Sequence, residues 1–150
     1  MNKRIPLQVV EGRLVLTSVI ESAKLRIPRQ IMEFVLDTGS QNSYLGYLDV
    51  KRLQISTSDK PSDKDLNFGG SRFKQILIPK LKMHLLTDDK STALSLDVQI
   101  NALKTTKTST KNIQIAEQLP SILGMDFLKE QKLSLHVILS EDLAYLECDD

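Results

Sequence analysis

The chain has little cysteine, almost no net charge and no long apolar run, and each shortage removes a class of protein. Cys148 is the one cysteine among 150 residues, so neither an intramolecular disulfide nor a cysteine-rich metal site can be built. Twenty Lys and Arg against nineteen Asp and Glu leave a formal charge of +1, which gives no electrostatic case for binding a phosphate backbone or an acidic membrane. No apolar run approaches the length that crosses a bilayer. Behind the basic Met1-Asn2-Lys3-Arg4 the segment is interrupted by Gln8, Glu11 and Arg13, so no signal peptide is read there and a cytoplasmic location is expected. What remains is ordinary globular composition, 41% hydrophobic and 26% charged, in a length that suits a single domain over residues 1–150.

Helix signals are scarce too, and period-two alternation takes their place. Leu81, Met83 and Leu85 alternate with Lys80, Lys82 and His84; Leu94, Leu96, Val98 and Ile100 alternate with Ser95, Asp97 and Gln99; Leu133, Leu135, Val137 and Leu139 alternate with Ser134 and His136. Each run reads as a strand with one wet face. Leu14 to Ile20 and Ile31 to Leu36 are apolar at both parities and are expected to be covered on both sides, the second as a central strand. Glu11-Gly12-Arg13 and Phe68-Gly69-Gly70-Ser71 suit tight hairpins. Ser56 to Lys64 and Lys104 to Lys111 read as polar loops, the latter a hairpin end. One helix is expected over Met125 to Gln131 and a weaker one near Tyr47 to Leu53. The fold class is all-β.

The chemistry concentrates in Phe34-Val35-Leu36-Asp37-Thr38-Gly39-Ser40. A buried strand that runs into a carboxylate must pair it, hydrogen-bond it or protonate it. Chance alone places Asp-Thr-Gly in about 3% of chains this long, so by itself it is a weak motif and could be simply a polar turn. Downstream, Leu119-Pro120-Ser121-Ile122-Leu123-Gly124-Met125-Asp126-Phe127-Leu128 is an apolar pair, a glycine and then an amphipathic helix. With these two segments and the glycine-bearing Asn67-Phe68-Gly69-Gly70-Ser71 between them, the sequence resembles the retropepsin-like aspartic proteases over most of its length, from about Val9 to Glu147.

The resemblance implies a closed, antiparallel β-barrel-like protomer with one short C-terminal helix. It also implies that Ile122-Leu123-Gly124 threads beside the Asp37 loop, its glycine permitting close approach of backbones. One Asp-Thr-Gly in a chain of this length implies a homodimer in which the two copies of Asp37 meet on a twofold axis and share a proton. By the same carry-over Thr38 donates across the dimer axis and Gly39 aims its N–H at the carboxylate. Ser40, where retroviral members often have alanine, offers a hydroxyl that would lower the first pKa of the pair and shift the pH optimum toward acid. Residues 67–71 are the flap that covers an extended peptide. The hairpin over 133–147, longer than the terminal strand of retroviral members, either joins the dimer sheet or closes its own protomer.

The expected activity is therefore an aspartic endopeptidase acting on extended peptide or protein substrates, with no metal, no organic cofactor, no nucleic acid and no membrane. The rival is a catalytically idle module of the same fold that binds peptides or mediates assembly. His84 and His136 lie far apart on polar strand parities, and Asp59, Asp63 and Asp65 lack calcium-loop spacing. Lys104 to Lys111 has no interleaved aromatics for nucleic acid. Asp126 is assigned to the positive end of its helix dipole, and Cys148 to no role.

Overall fold

Burial at every second residue organises the chain into strands. The computed structural model describes residues 3–55, 65–68, 71–90, 93–105 and 109–148. The elements in order are β1 (Lys3–Val10), β2 (Arg13–Ser22), β3 (Ile27–Leu36), β4 (Tyr44–Leu45), α1 (Tyr47–Arg52), β5 (Asp65–Phe68), β6 (Ser71–Leu86) and β7 (Ala93–Thr105). They are followed by α2 (Thr110–Gln118), β8 (Ile122–Leu123), α3 (Met125–Glu130), β9 (Leu133–Ile138), a 3-10 turn (Leu139–Glu141) and β10 (Leu143–Cys148). The polar segment Ser56 to Lys64 and the glycines Gly69 and Gly70 lie outside the described residues, as do Asp59 and Asp63.

The strands form a ten-stranded sheet in the order β5-β6-β7-β4-β8-β3-β2-β1-β10-β9, with a further antiparallel pairing of β6 to β2. The expectation of antiparallel pairing throughout is corrected here, because β3 runs parallel to β8 and β4 parallel to β7. The parallel pairs arise because β4 and β8 are two-residue strands reached by crossover rather than by hairpin. The hairpin at Glu11-Gly12 is as expected: Val10 pairs with Arg13. Both turn residues have positive φ, 50° and 78°, the geometry that matches strand twist in a two-residue loop.

The alternation in β6 and β7 is realised. Leu81, Met83, Leu85, Val98 and Ile100 are buried, and with Leu16, Ile20, Phe34 and Leu146 they belong to the main core. The ladder between β6 and β7 slips between Ile78 and Leu81, where Pro79 has no N–H to donate. β3 is central, between β8 and β2, but the outer faces of both strands are only partly covered: Val35, Val15 and Val19 are half-buried, while Thr17 is exposed. Met32, Phe34 and Leu36 point into the core while Ile31 is 69% exposed and Glu33 is also exposed. Apolar content at both parities recorded β-propensity on the outer face, not burial.

Helices formed at both expected places, Tyr47–Arg52 and Met125–Glu130. A third, α2, occupies part of what reads as a polar hairpin end in Lys104 to Lys111, of which residues 106–108 lie outside the described set. Ser109 caps it, accepting from the backbone N–H of Asn112 at 3.4 Å. The C-terminal hairpin pairs β9 with β10, and β10 continues onto β1. It therefore extends the protomer's own sheet. Its alternation fails at the tip, where Leu139 sits in the 3-10 turn and is 70% exposed.

The one-sided burial of β3 has a measurable consequence. Phe34→Ala should cost about 3–5 kcal/mol of stability, whereas Ile31→Ala should stay within about 0.5 kcal/mol. Urea unfolding of both variants checks this; equal losses would contradict the assignment of faces.

Candidate active site

β3 delivers Asp37 to its C-terminal end because the strand is stitched to β8 on one side. Val35 N–H donates to Ser121 O at 2.9 Å and Asp37 N–H donates to Leu123 O at 3.0 Å. The chain then turns, with Ser40 N–H on Asp37 O at 3.1 Å. Gly39 N–H donates to Asp37 Oδ1 at 2.9 Å, a charge-assisted contact that fixes the carboxylate rotamer. A Cβ at residue 39 would stand 3.1 Å from that oxygen, so glycine leaves the carboxylate room. Asp37 is half-buried, while Thr38 and Gly39 are exposed on the protein surface.

The loop is clamped to the segment that follows β8. Met125 N–H donates to Ser40 O at 2.8 Å and Asp126 N–H to Gln41 O at 3.1 Å. A Cβ at Gly124 would lie 2.5 Å from Ser40 O and 2.7 Å from Asn42 O. The two backbones thus approach more closely than any side chain allows. Ile122 and Leu123, the other two residues of this segment named from the sequence, are both buried beside β3.

Two buried polar networks brace the loop that were not read from the sequence. Ser43, 1% exposed, donates its hydroxyl to Asp126 Oδ1 at 2.6 Å and its N–H to Asp126 Oδ2 at 3.0 Å. The same hydroxyl accepts from Gly124 N–H at 2.9 Å. Asp126 therefore does more than favour a helix end: it ties the Asp37 loop to α3. On the other side, Ser121 Oγ donates to Asp49 Oδ2 at 2.5 Å and accepts from Gly46 N–H at 2.9 Å. No local sequence pattern marks either pair, since the partners are 72 to 83 residues apart.

Ser40 departs from expectation. Its hydroxyl donates to Asn42 O at 2.7 Å and not to the carboxylate, because the turn points it back along its own loop. The hydroxyl supports the loop without bonding the Asp37 carboxylate, and the acid shift expected from it loses its basis.

Of the flap residues, Asn67 and Phe68 lie on β5 and Ser71 opens β6, with Phe68 paired to Ser71 and Asn67 to Arg72. The described part of this hairpin meets the neighbouring strands through β6. Phe73 joins Tyr44, Leu103, Ala116, Leu119 and Ile122 in a second apolar cluster, separate from the main core. Val35 and Leu66 pack against it, so the cluster connects the hairpin to both strands that carry the Asp37 loop. Tyr44 is 5% exposed there. Burial pushes its phenol pKa up, and the charge of Asp37 adds to the rise.

Among the described residues no group of three or more His, Cys, Asp or Glu is arranged to hold a metal ion. His84 is bonded to Ser95, its Nδ1 2.8 Å from Ser95 Oγ, and His136 stacks on Tyr145. Among the described residues no helix is long and apolar enough to cross a membrane.

The fold has a structural counterpart. The crystal structure of a retropepsin-like aspartic protease from Rickettsia conorii matches it with a TM-score of 0.59 at 15% sequence identity, over 99% of this chain and 92% of that one. The fold is similar to a retropepsin-like fold. No family model matches the sequence, and no curated protein matches it.

Two predictions test the site's construction. Gly124→Ala should destabilise the protein by about 3 kcal/mol, since backbone carbonyls and not flexible side chains must give way; a change below about 0.5 kcal/mol by urea unfolding would mean that the two segments part freely. Tyr44→Phe should remove part of the alkaline sensitivity. In the unfolded chain the phenol ionises near about pH 10, and in the folded chain it ionises above that. Its contribution is therefore complete below the unfolded value and is lost as pH rises through the folded one. Unfolding wild type and variant at neutral and alkaline pH should show a larger loss for wild type, and equal losses would refute it.

Proposed function

We propose that the chain is an aspartic endopeptidase that acts as a homodimer, with Asp37 of each protomer forming the catalytic pair. The observation that supports this most is the Asp37 carboxylate, pinned by Gly39 N–H at the end of β3 and flanked by exposed Thr38 and Gly39, in a fold similar to a retropepsin-like one. A single chain offers one such carboxylate. A second copy brought over the exposed loop on a twofold axis supplies its partner, and the exposed Thr38 donates its hydroxyl to the opposite loop in this reading.

Two carboxylates at hydrogen-bonding distance hold one proton between them, and the resulting pKa values belong to the pair. The ionised member takes a proton from a bound water as that water attacks the scissile carbonyl carbon. The protonated member donates to the carbonyl oxygen as it becomes tetrahedral. Collapse of the intermediate breaks the C–N bond, with a proton passing from the pair to the leaving amine. No metal or organic cofactor enters these steps. The substrate lies extended under the β5–β6 hairpin as an added strand, with alternate side chains in pockets. Few charged residues flank the site motifs Phe34 to Ser40 and Leu119 to Met125, which favours apolar residues around the cleaved bond.

Wild type and Asp37→Asn, incubated with an unstructured protein mixture from acid to neutral pH, test the reading by mass-spectrometric mapping of new termini. Cleavage by wild type, blocked by a statine-type transition-state analogue and reduced at least about a hundredfold in the variant, is the expected result. Equal cleavage by both would place the activity elsewhere. Dimers of both proteins with no cleavage at any pH would instead favour a peptide-binding or assembly module.

A further inference from the structure

We propose that helix α2 is the anchor of the β5–β6 hairpin, and that Asn112 is a positioning residue that sets where this hairpin sits over the Asp37 loop. The inner face of β6 near its start is formed by Ser71, Phe73 and Gln75, which are 7%, 0% and 3% exposed. Two of these three are polar, and a polar group buried this far requires a partner. Gln75 finds its partner on the neighbouring strand, where its Oε1 accepts from Asn101 Nδ2 at 2.9 Å. Ser71 finds its partner on α2, donating its hydroxyl to Asn112 Oδ1 at 2.6 Å.

Between these polar contacts, Phe73 is packed with Ala116 of α2, with Leu119 just after it, and with Tyr44 and Ile122 beside Asp37. The hairpin thus rests on α2 through one hydrogen bond and one apolar contact surface. Any displacement of the hairpin away from α2 must break the Ser71–Asn112 bond, strand a buried hydroxyl and uncover Phe73. Asn112 is the third residue of α2 and its own N–H is held by Ser109, so its side chain projects from the capped, fixed turn of the helix. The consequence for catalysis rests on the proposed endopeptidase reading: a hairpin held at a set height fixes the groove in which a peptide strand lies.

The anchor is tested without substrate by amide hydrogen exchange in β5 and the first residues of β6. Asn112→Ala and Ser71→Ala should each speed exchange there about fivefold, the loss of roughly one net hydrogen bond. The double variant should be no faster than either single one. Exchange in β1 and β2 should not change. Asn112→Asp keeps an acceptor at the same place and suits the first turn of a helix, so it should exchange like wild type. Unchanged exchange in the single variants, additive effects in the double variant, or an Asn112→Asp protein as fast as Asn112→Ala would each overturn the proposal. With a cleavable peptide, Asn112→Ala should raise KM about threefold to tenfold with kcat within about twofold, as expected when positioning and not chemistry is lost. Absence of cleavage by wild type would count against the endopeptidase reading alone, because the exchange result decides the anchor by itself.

Discussion

Everything at the site depends on one close contact of backbones. Gly124 passes so near the carbonyls of Ser40 and Asn42 that no other residue fits, and from that contact the rest follows. β8 can run parallel to β3, Leu123 can accept from the Asp37 amide, and Met125 and Asp126 can donate to the loop that carries the carboxylate. Asp126 then reaches Ser43 and closes the arrangement. A carboxylate at a strand end needs hydrogen bonds to offset its desolvation, and the clamp provides a loop rigid enough for Gly39 to supply one.

The clamp also explains the division of the interior. The main core lies between the strand layers and holds Leu16, Phe34, Leu81 and Met83. The smaller cluster around Tyr44, Phe73 and Ile122 gathers the described part of the hairpin, α2 and the site strands on one side. The smaller cluster is buried, and it links β6 of the hairpin to Val35, Tyr44 and Ile122 on the strands around the Asp37 loop. The rise in the Tyr44 pKa reports that the Asp37 charge is felt within this cluster.

Much of the fold was legible because strand burial writes itself into alternating residues: β6 and β7 follow their pattern, and the Glu11-Gly12 turn follows its chemistry. The segments that form the clamp were legible through the resemblance their motifs carry. Other features were not. α2 is nine residues long, holds three β-branched residues (Thr110, Ile113 and Ile115) and is preceded by a Lys- and Thr-rich stretch, so its amphipathic signal is weak; the Ser109 cap was the sign available. The outer face of β3 misled because Ile31 favours a strand whether or not it is covered. The Ser43–Asp126 and Ser121–Asp49 pairs join residues distant in sequence, and the direction of the Ser40 hydroxyl is decided by a rotamer that composition does not encode.

In the proposed endopeptidase, one chain holds half of a catalytic pair. Mixing wild type with Asp37→Asn protein at constant total concentration, under conditions of subunit exchange, tests it most directly. If the pair is shared across a twofold axis, peptide cleavage will fall as the square of the wild-type fraction, because only dimers with two Asp37 carboxylates are competent. A linear fall would show that each chain cleaves on its own and would contradict the shared site.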